Sequence, residues 1–160
     1  MILGIDPGAS GAVAVLDGPA LVAVHDMPTK KVKVSGKMKT RIDSRALYEA
    51  LHDYQVTHVF LEQVSAMPGQ GVSSMFAFGR ATGIAEGVAA TKSKELIEVR
   101  PQVWKKHFGL DGHKDGSRDA AMERWPGMAS YFQRKKDDGR AEAALIGLWG
   151  HECLLKSHQV

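Results

Sequence analysis

Residues 1–15, MILGIDPGASGAVAV, decide how this chain folds. Two short apolar runs, Ile2 to Ile5 and Ala12 to Leu16, flank Asp6 and the glycine-rich PGASG of residues 7–11. Runs of that length bounded by turn residues read as two strands of a hairpin. Side chains alternate along a strand, so Gly4 and Asp6 share one side while Leu3 and Ile5 take the other. The acid therefore faces a side that a glycine keeps open.

Working outward, Leu21 to Met27 predicts a third strand, and Asp43 or Ser44 caps a helix to about Tyr54 with Leu47 and Leu51 on one face. Thr57 to Leu61 is β-branched and aromatic and reads as a buried strand. A long helix from Val72 to Thr91 and a fifth strand, Leu96 to Val99, follow. Pro101 opens a helix running to Phe108, Gly116 to Trp125 predicts another, and Asp138 to Leu155 the last. The order β-β-β-α-β-α-β-α-α-α describes a mixed α/β domain without repeats. Gly79, Gly83 and Gly87 form one stripe on the long helix. Each costs about 0.8–1.0 kcal/mol of propensity, so close packing on the sheet or a neighbouring helix is expected, with a subunit interface as the alternative.

The 160 residues fit one domain, 1–160, which buries about 68–70% of its unfolded surface. A balance of 21 Lys+Arg against 18 Asp+Glu, net +3, says little about partners until the charges are placed. One cysteine, Cys153, excludes an internal disulfide framework. No apolar run nears the ~20 residues of a membrane span, and no basic leader precedes Asp6, so a cytoplasmic, membrane-free protein is expected.

Four acids stand out. Asp6 and Glu62 end apolar strands, where a carboxylate is costly without a cation or donors. Asp138 and Glu142 lie four apart at a helix start, on one face, where like charges repel. Singly, each has a structural explanation as turn former, strand end or cap. Jointly they suit a magnesium pocket, because Mg²⁺ prefers carboxylate oxygens and pairs of ions clamp a phosphoryl displacement.

MILGIDPGASGAVAV, FLEQVSAMPG (60–69), FGRATGIAEG (78–87), VRPQVWKKHFG (99–109) and DGRAEAALIG (138–147), in that order, resemble the RuvC-like Holliday junction resolvases nearly end to end. The resemblance implies an RNase H-like fold with a five-stranded mixed sheet flanked by helices. It also implies a homodimer that nicks four-way DNA junctions symmetrically, using two Mg²⁺ ions per site with Mn²⁺ as substitute. Its metal ligands and catalytic acids would be Asp6, Glu62, Asp138 and Glu142, with Asp137 the alternative to Asp138. Lys114, in the GLDGHKDGSRD connection (109–119), would stabilise transition-state charge, and His113 beside it could serve the leaving group or simply face solvent. The helical acids here are four apart rather than three, and where many relatives carry a junction-stacking aromatic after the strand-end Glu, this chain has Ser65-Ala66-Met67-Pro68.

Lys30, Lys31, Lys33, Lys37, Lys39 and Arg41 fall in twelve residues without an acid. Alone, the run reads equally as a solvated face or a mobile loop. Beside an acidic pocket it supplies phosphate contacts, as would Arg100, Lys105, Lys106, Lys114, Arg118, Arg134, Lys135 and Lys136. Trp104, Phe108, Trp125 and Trp149 read as core, whereas Phe76 and Phe78 are ambiguous. The expected function is a branched-DNA endonuclease without a nucleotide cofactor, in a bacterial or phage-infected cell. A non-catalytic junction binder is one rival. An actin-like ATPase or kinase fragment is another, since GIDPGASG resembles that superfamily's first phosphate loop, but no GxxxxGK[ST] loop appears.

Overall fold

The structure, a computed structural model, describes residues 1–66, 68–93, 95–110 and 115–157. The opening hairpin forms as expected: β1 (Ile2–Asp6) pairs antiparallel with β2 (Ala12–Asp17), which pairs with β3 (Ala20–Asp26). After β4 (Thr29–Val34), β5 (Lys37–Ile42) and helix α1 (Ser44–Leu51), the chain re-enters the sheet as β6 (His58–Glu62), parallel to β1. Helix α2 (Val72–Ala90) then crosses over to β7 (Glu95–Val99), and the five strands take the order β3-β2-β1-β6-β7. Helices α3 (Pro101–His107), α4 (Gly116–Arg124) and α5 (Asp138–Ser157) complete the chain, with 3-10 turns at Pro126–Tyr131 and Lys135–Asp137.

Strand alternation sorts two apolar layers. Leu3, Ile5, Val13, Val15, Val59 and Leu61 pack against α1 and α2. Ile2, Ala14, Leu16 and Phe60 pack against α5, together with Trp104, Trp125 and Phe132. The side that Gly4 keeps free is filled rather than open: a Cβ there would collide with the Ala143 carbonyl oxygen and the Gly147 backbone. Small residues on both surfaces let α5 lie directly on β1, and Asp6, on the same side, faces its first turns.

Two expectations need correction. The basic run is not a loop: β4 and β5 form a separate two-stranded antiparallel ribbon, Thr29 opposite Ile42 and Val34 opposite Lys37. Alternating Val32 and Val34 and the Ser35-Gly36 turn, both at positive φ, give the lysine-rich segment its hairpin. The glycine stripe of α2 does not pack against the described residues either: a Cβ on Gly79, Gly83 or Gly87 would meet nothing within 4 Å among them. Ala81, Ala85 and Ala89, on another stripe, are the residues α2 buries. Among the described residues no helix is long and apolar enough to cross a membrane.

Candidate active site

Asp6 is the last residue of β1, and the PGASG loop folds back over it. The Gly8 N–H donates to Asp6 Oδ1 at 3.3 Å, and a Cβ on Gly11 would collide with the Asp6 backbone and carboxyl carbon. A Cβ on Gly139, in the first turn of α5, would lie 3.0 Å from Asp6 Oδ2 and 2.7 Å from the Ser10 carbonyl oxygen. Only glycine lets the helix approach so closely. Glu62 ends the neighbouring strand on the same side as Phe60 and is 9% exposed. The buried Trp104 indole N–H donates to Glu62 Oε1 at 3.1 Å. Glu142, one turn into α5, meets Lys105 Nζ at 2.8 Å.

These groups share one electric field. Burial, then the charges of Glu142 and Glu62, push the Asp6 carboxyl from 3.8 up to about 7, against the Gly8 amide and Lys105. Burial and then Glu142 also raise Glu62, with the Trp104 bond and Lys105 opposing. Burial works against charge on Lys105, yet its hydrogen bond to Glu142 and the fields of Glu142, Glu62 and Asp6 hold the ammonium above its ordinary value. Among the described residues three carboxylates thus face a single lysine, and the excess negative charge is what a hard cation relieves.

The donor set fits such a cation in chemistry, though not in its present rotamers: among the described residues no three His, Cys, Asp or Glu side chains are arranged to hold an ion. Glu142 is turned to Lys105 and Glu62 to Trp104. The fourth sequence-predicted acid stands apart. Asp138 Oδ1 contacts Arg118 Nε at 2.7 Å, and Arg118 also binds Asp115 at 2.5 Å. Asp137, the alternative, is buried and taken by Arg134, whose Nη2 lies 2.9 Å from Oδ1. Arg118 and Arg134, expected as phosphate contacts, are therefore engaged with these acids.

Lys105 was expected on a basic flank and instead sits among the acids, 5.0 Å over the Trp104 ring. Trp104 is core, as expected, but its role as the Glu62 donor was missed. A buried indole N–H needs an acceptor, and that need was the available signal. Trp125 is also buried, and Phe108 and Trp149 pack against the same core. Phe76 and Phe78 are exposed. Lys114, His113 and Met67 lie outside the described residues.

Sequence comparison matches no family model and no curated protein. Solved structures do match. A Thermus thermophilus RuvC in complex with a Holliday junction substrate aligns at TM-score 0.62 and 14% identity, over 96% of this chain and 94% of that one. The yeast mitochondrial Holliday junction resolvase Ydc2 aligns at 0.57 and 16% identity, over 99% and 81%. The fowlpox virus resolvase, also bound to Holliday junction DNA, aligns at 0.53 and 18%, over 96% and 99%. With its β3-β2-β1-β6-β7 mixed sheet and flanking helices, the chain has the RNase H-like fold of the RuvC-like Holliday junction resolvases.

Proposed function

We propose that this chain is a Mg²⁺-dependent, structure-selective DNA endonuclease that resolves four-way junctions and other branched DNA by paired symmetric nicks. The observation that carries the reading is the convergence of Asp6, Glu62 and Glu142 from three elements, with Asp6 raised to about 7 by its neighbours, in a resolvase fold. Asp6, Glu62 and Glu142 would hold the metal, with Asp138 joining them on leaving Arg118. Bound Mg²⁺ or Mn²⁺, two ions per site, would polarise the phosphodiester and lower the pKa of the attacking water.

The protein supplies the rest. Gly139 and the PGASG loop fix the Asp6 carboxylate, and Trp104 fixes one Glu62 oxygen. Lys105, and Lys114 from its connection, would meet the anionic phosphate and stabilise charge as the bond breaks. Lys30, Lys31, Lys33, Lys37, Lys39 and Arg41 on the ribbon, with Lys106, would hold backbone phosphates without reading sequence. The 160 residues act as one nuclease domain. Two sites for a two-fold substrate then require a homodimer, for which the open glycine face of α2 offers a contact. We place this enzyme with DNA in the cytoplasm of a bacterial or phage-infected cell.

The test incubates the protein with a mobile four-way junction, a Y-fork and matched duplex, with and without Mg²⁺. Two symmetric nicks on the junction are expected, and Asp6→Asn is expected to bind the junction and leave it intact. Unchanged nicking by Asp6→Asn would overturn the metal-site assignment. Binding without cleavage by the wild type would favour a non-catalytic module.

A further inference from the structure

The β4–β5 ribbon stands outside the main sheet and carries six cations and no acid. Among the described residues only Lys30 of the six meets a carboxylate, Asp43 at 3.3 Å. Lys30 also stands directly opposite Arg41, a like-charge pair that weakens a hairpin already marginal as two strands alone. The two faces of the ribbon differ. On one, Val32 and Val34 are half-buried, and Val34 lines a groove against α2. The other carries Lys31 opposite Thr40 and Lys33 opposite Met38, and all four are exposed. Met38, at 63% exposure, puts an apolar side chain in the middle of this cationic surface. The root of the ribbon, in contrast, is fixed. Met27 and Ile42, at its two ends, are buried in one core with Leu3 and Ile5 of β1. The Met27 N–H donates to the Gly11 carbonyl oxygen at 2.9 Å, and the Asp43 N–H to the Pro28 carbonyl oxygen at 2.8 Å. Gly11 belongs to the loop that folds over Asp6, so ribbon and acidic site are built on the same few residues.

We propose that the ribbon lies in the major groove of one duplex arm of the DNA substrate. Met38 rests on the groove floor, Lys31 and Lys33 meet the phosphates of one wall, and Lys37 and Lys39 meet those of the other. The inference rests on the nuclease reading and adds how the enzyme holds an arm beside the branch. Size selects the groove: the major groove, about 12 Å wide and about 8.5 Å deep, admits a two-stranded ribbon, and the minor groove, about 6 Å wide, does not. Strands of six residues reach about 17–20 Å, roughly half a helical turn of duplex. The four lysines divide two to a strand. Lys37 and Lys39 start on the inner face but are exposed, on stems long enough to pass the strand edge. Phosphates on both walls relieve the repulsion that the free ribbon bears, and thymine methyl groups give the floor an apolar feature for Met38. Because the root is tied to the Gly11 loop, the held arm and the Asp6 site keep a set spacing, which a mobile basic tail could not impose.

The experiment footprints the full chain on a four-way junction in EDTA with dimethyl sulfate, which methylates guanine N7 in the major groove and adenine N3 in the minor groove. The same junction is cut separately in Mg²⁺ to locate the nicks. Guanine N7 is expected to be protected in one arm, within about one helical turn of the nicked step, while adenine N3 in that stretch stays reactive. Lys33→Ala with Met38→Ser is expected to abolish the protection and to weaken junction binding about tenfold. Lys33→Arg with Met38→Leu is expected to keep both, which separates groove contact from a merely structural role. Nicking by a wild type that leaves every guanine N7 reactive, or that protects adenine N3 instead, overturns the groove seat and leaves the nuclease reading intact. Protection of guanine N7 that depends on Lys33 and Met38, without nicking, supports the seat and overturns the nuclease reading. If Lys33→Ala with Met38→Ser instead disperses a dimer in analytical ultracentrifugation and leaves the footprint unaltered, this face is a subunit contact and the proposal falls.

Discussion

At Asp6 the cost of burying a carboxyl beside other acids falls on one residue of the proposed site. Its carboxyl titrates near 7 in the fold and near 3.8 in the unfolded chain, so the folded state holds its proton more tightly. Stability from this group is complete below about pH 4 and drains away as pH rises through 7. In EDTA, wild-type melting temperature is therefore expected to fall over that window. Asp6→Asn, which cannot ionise, is expected to gain at least about 2–4 °C over wild type at pH 8, the shift of ~1 kcal/mol in a domain of this size, and nothing at pH 4. Saturating Mg²⁺ is expected to shrink the difference by stabilising only the wild type. A gain that is equal at both pH values would mean that the charge of Asp6 is not the cause.

At the scale of elements, two glycines on strand and helix behave oppositely. A Cβ on Gly83 meets nothing within 4 Å among the described residues, whereas one on Gly4 strikes the backbone of α5, which cannot swing aside. Gly83→Ala is expected to stabilise the isolated chain by up to about 1 kcal/mol through helix propensity. Gly4→Ala is expected to cost at least about 1–3 kcal/mol, the range for overpacking, because α5 must lift from β1 and carry Glu142 away from Asp6. Chemical denaturation of both variants, with analytical ultracentrifugation of Gly83→Ala, checks the pair. A weakened dimer in Gly83→Ala would place the stripe at the subunit contact. The ribbon also shows where element type was harder to read than element position: Val32 and Val34 form a strand pattern that six cations obscure.

For the whole molecule, the net charge of +3 conceals a division between a carboxylate pocket and a cationic ribbon. Association with DNA is expected to weaken steeply with salt, because each phosphate neutralised releases counterions. Lys33→Gln with Lys37→Gln and Lys39→Gln is expected to flatten the slope of log K against log salt by about 0.9 for each phosphate no longer neutralised, measured with an uncleaved junction; an unchanged slope would remove the ribbon from the interface. Much of this molecule was legible along the chain. Local periodicity and turn chemistry determined the hairpin at residues 1–17, the buried strand ending at Glu62 and the helix that starts at Asp138, because those signals act between near neighbours. The same reading marked Asp6 and Glu62 as acids at the ends of apolar runs, and Asp138 with Glu142 as two acids four apart at a helix start. Only the tertiary structure decided which carboxylates meet. Asp138 and Glu142 share a helix face, yet one lies against Arg118 and the other against Lys105, because contacts with α3 and α4 select the partner and sequence spacing does not. It also decided that Gly4, not the α2 stripe, admits a neighbouring backbone, for close approach depends on what the rest of the fold brings to each glycine.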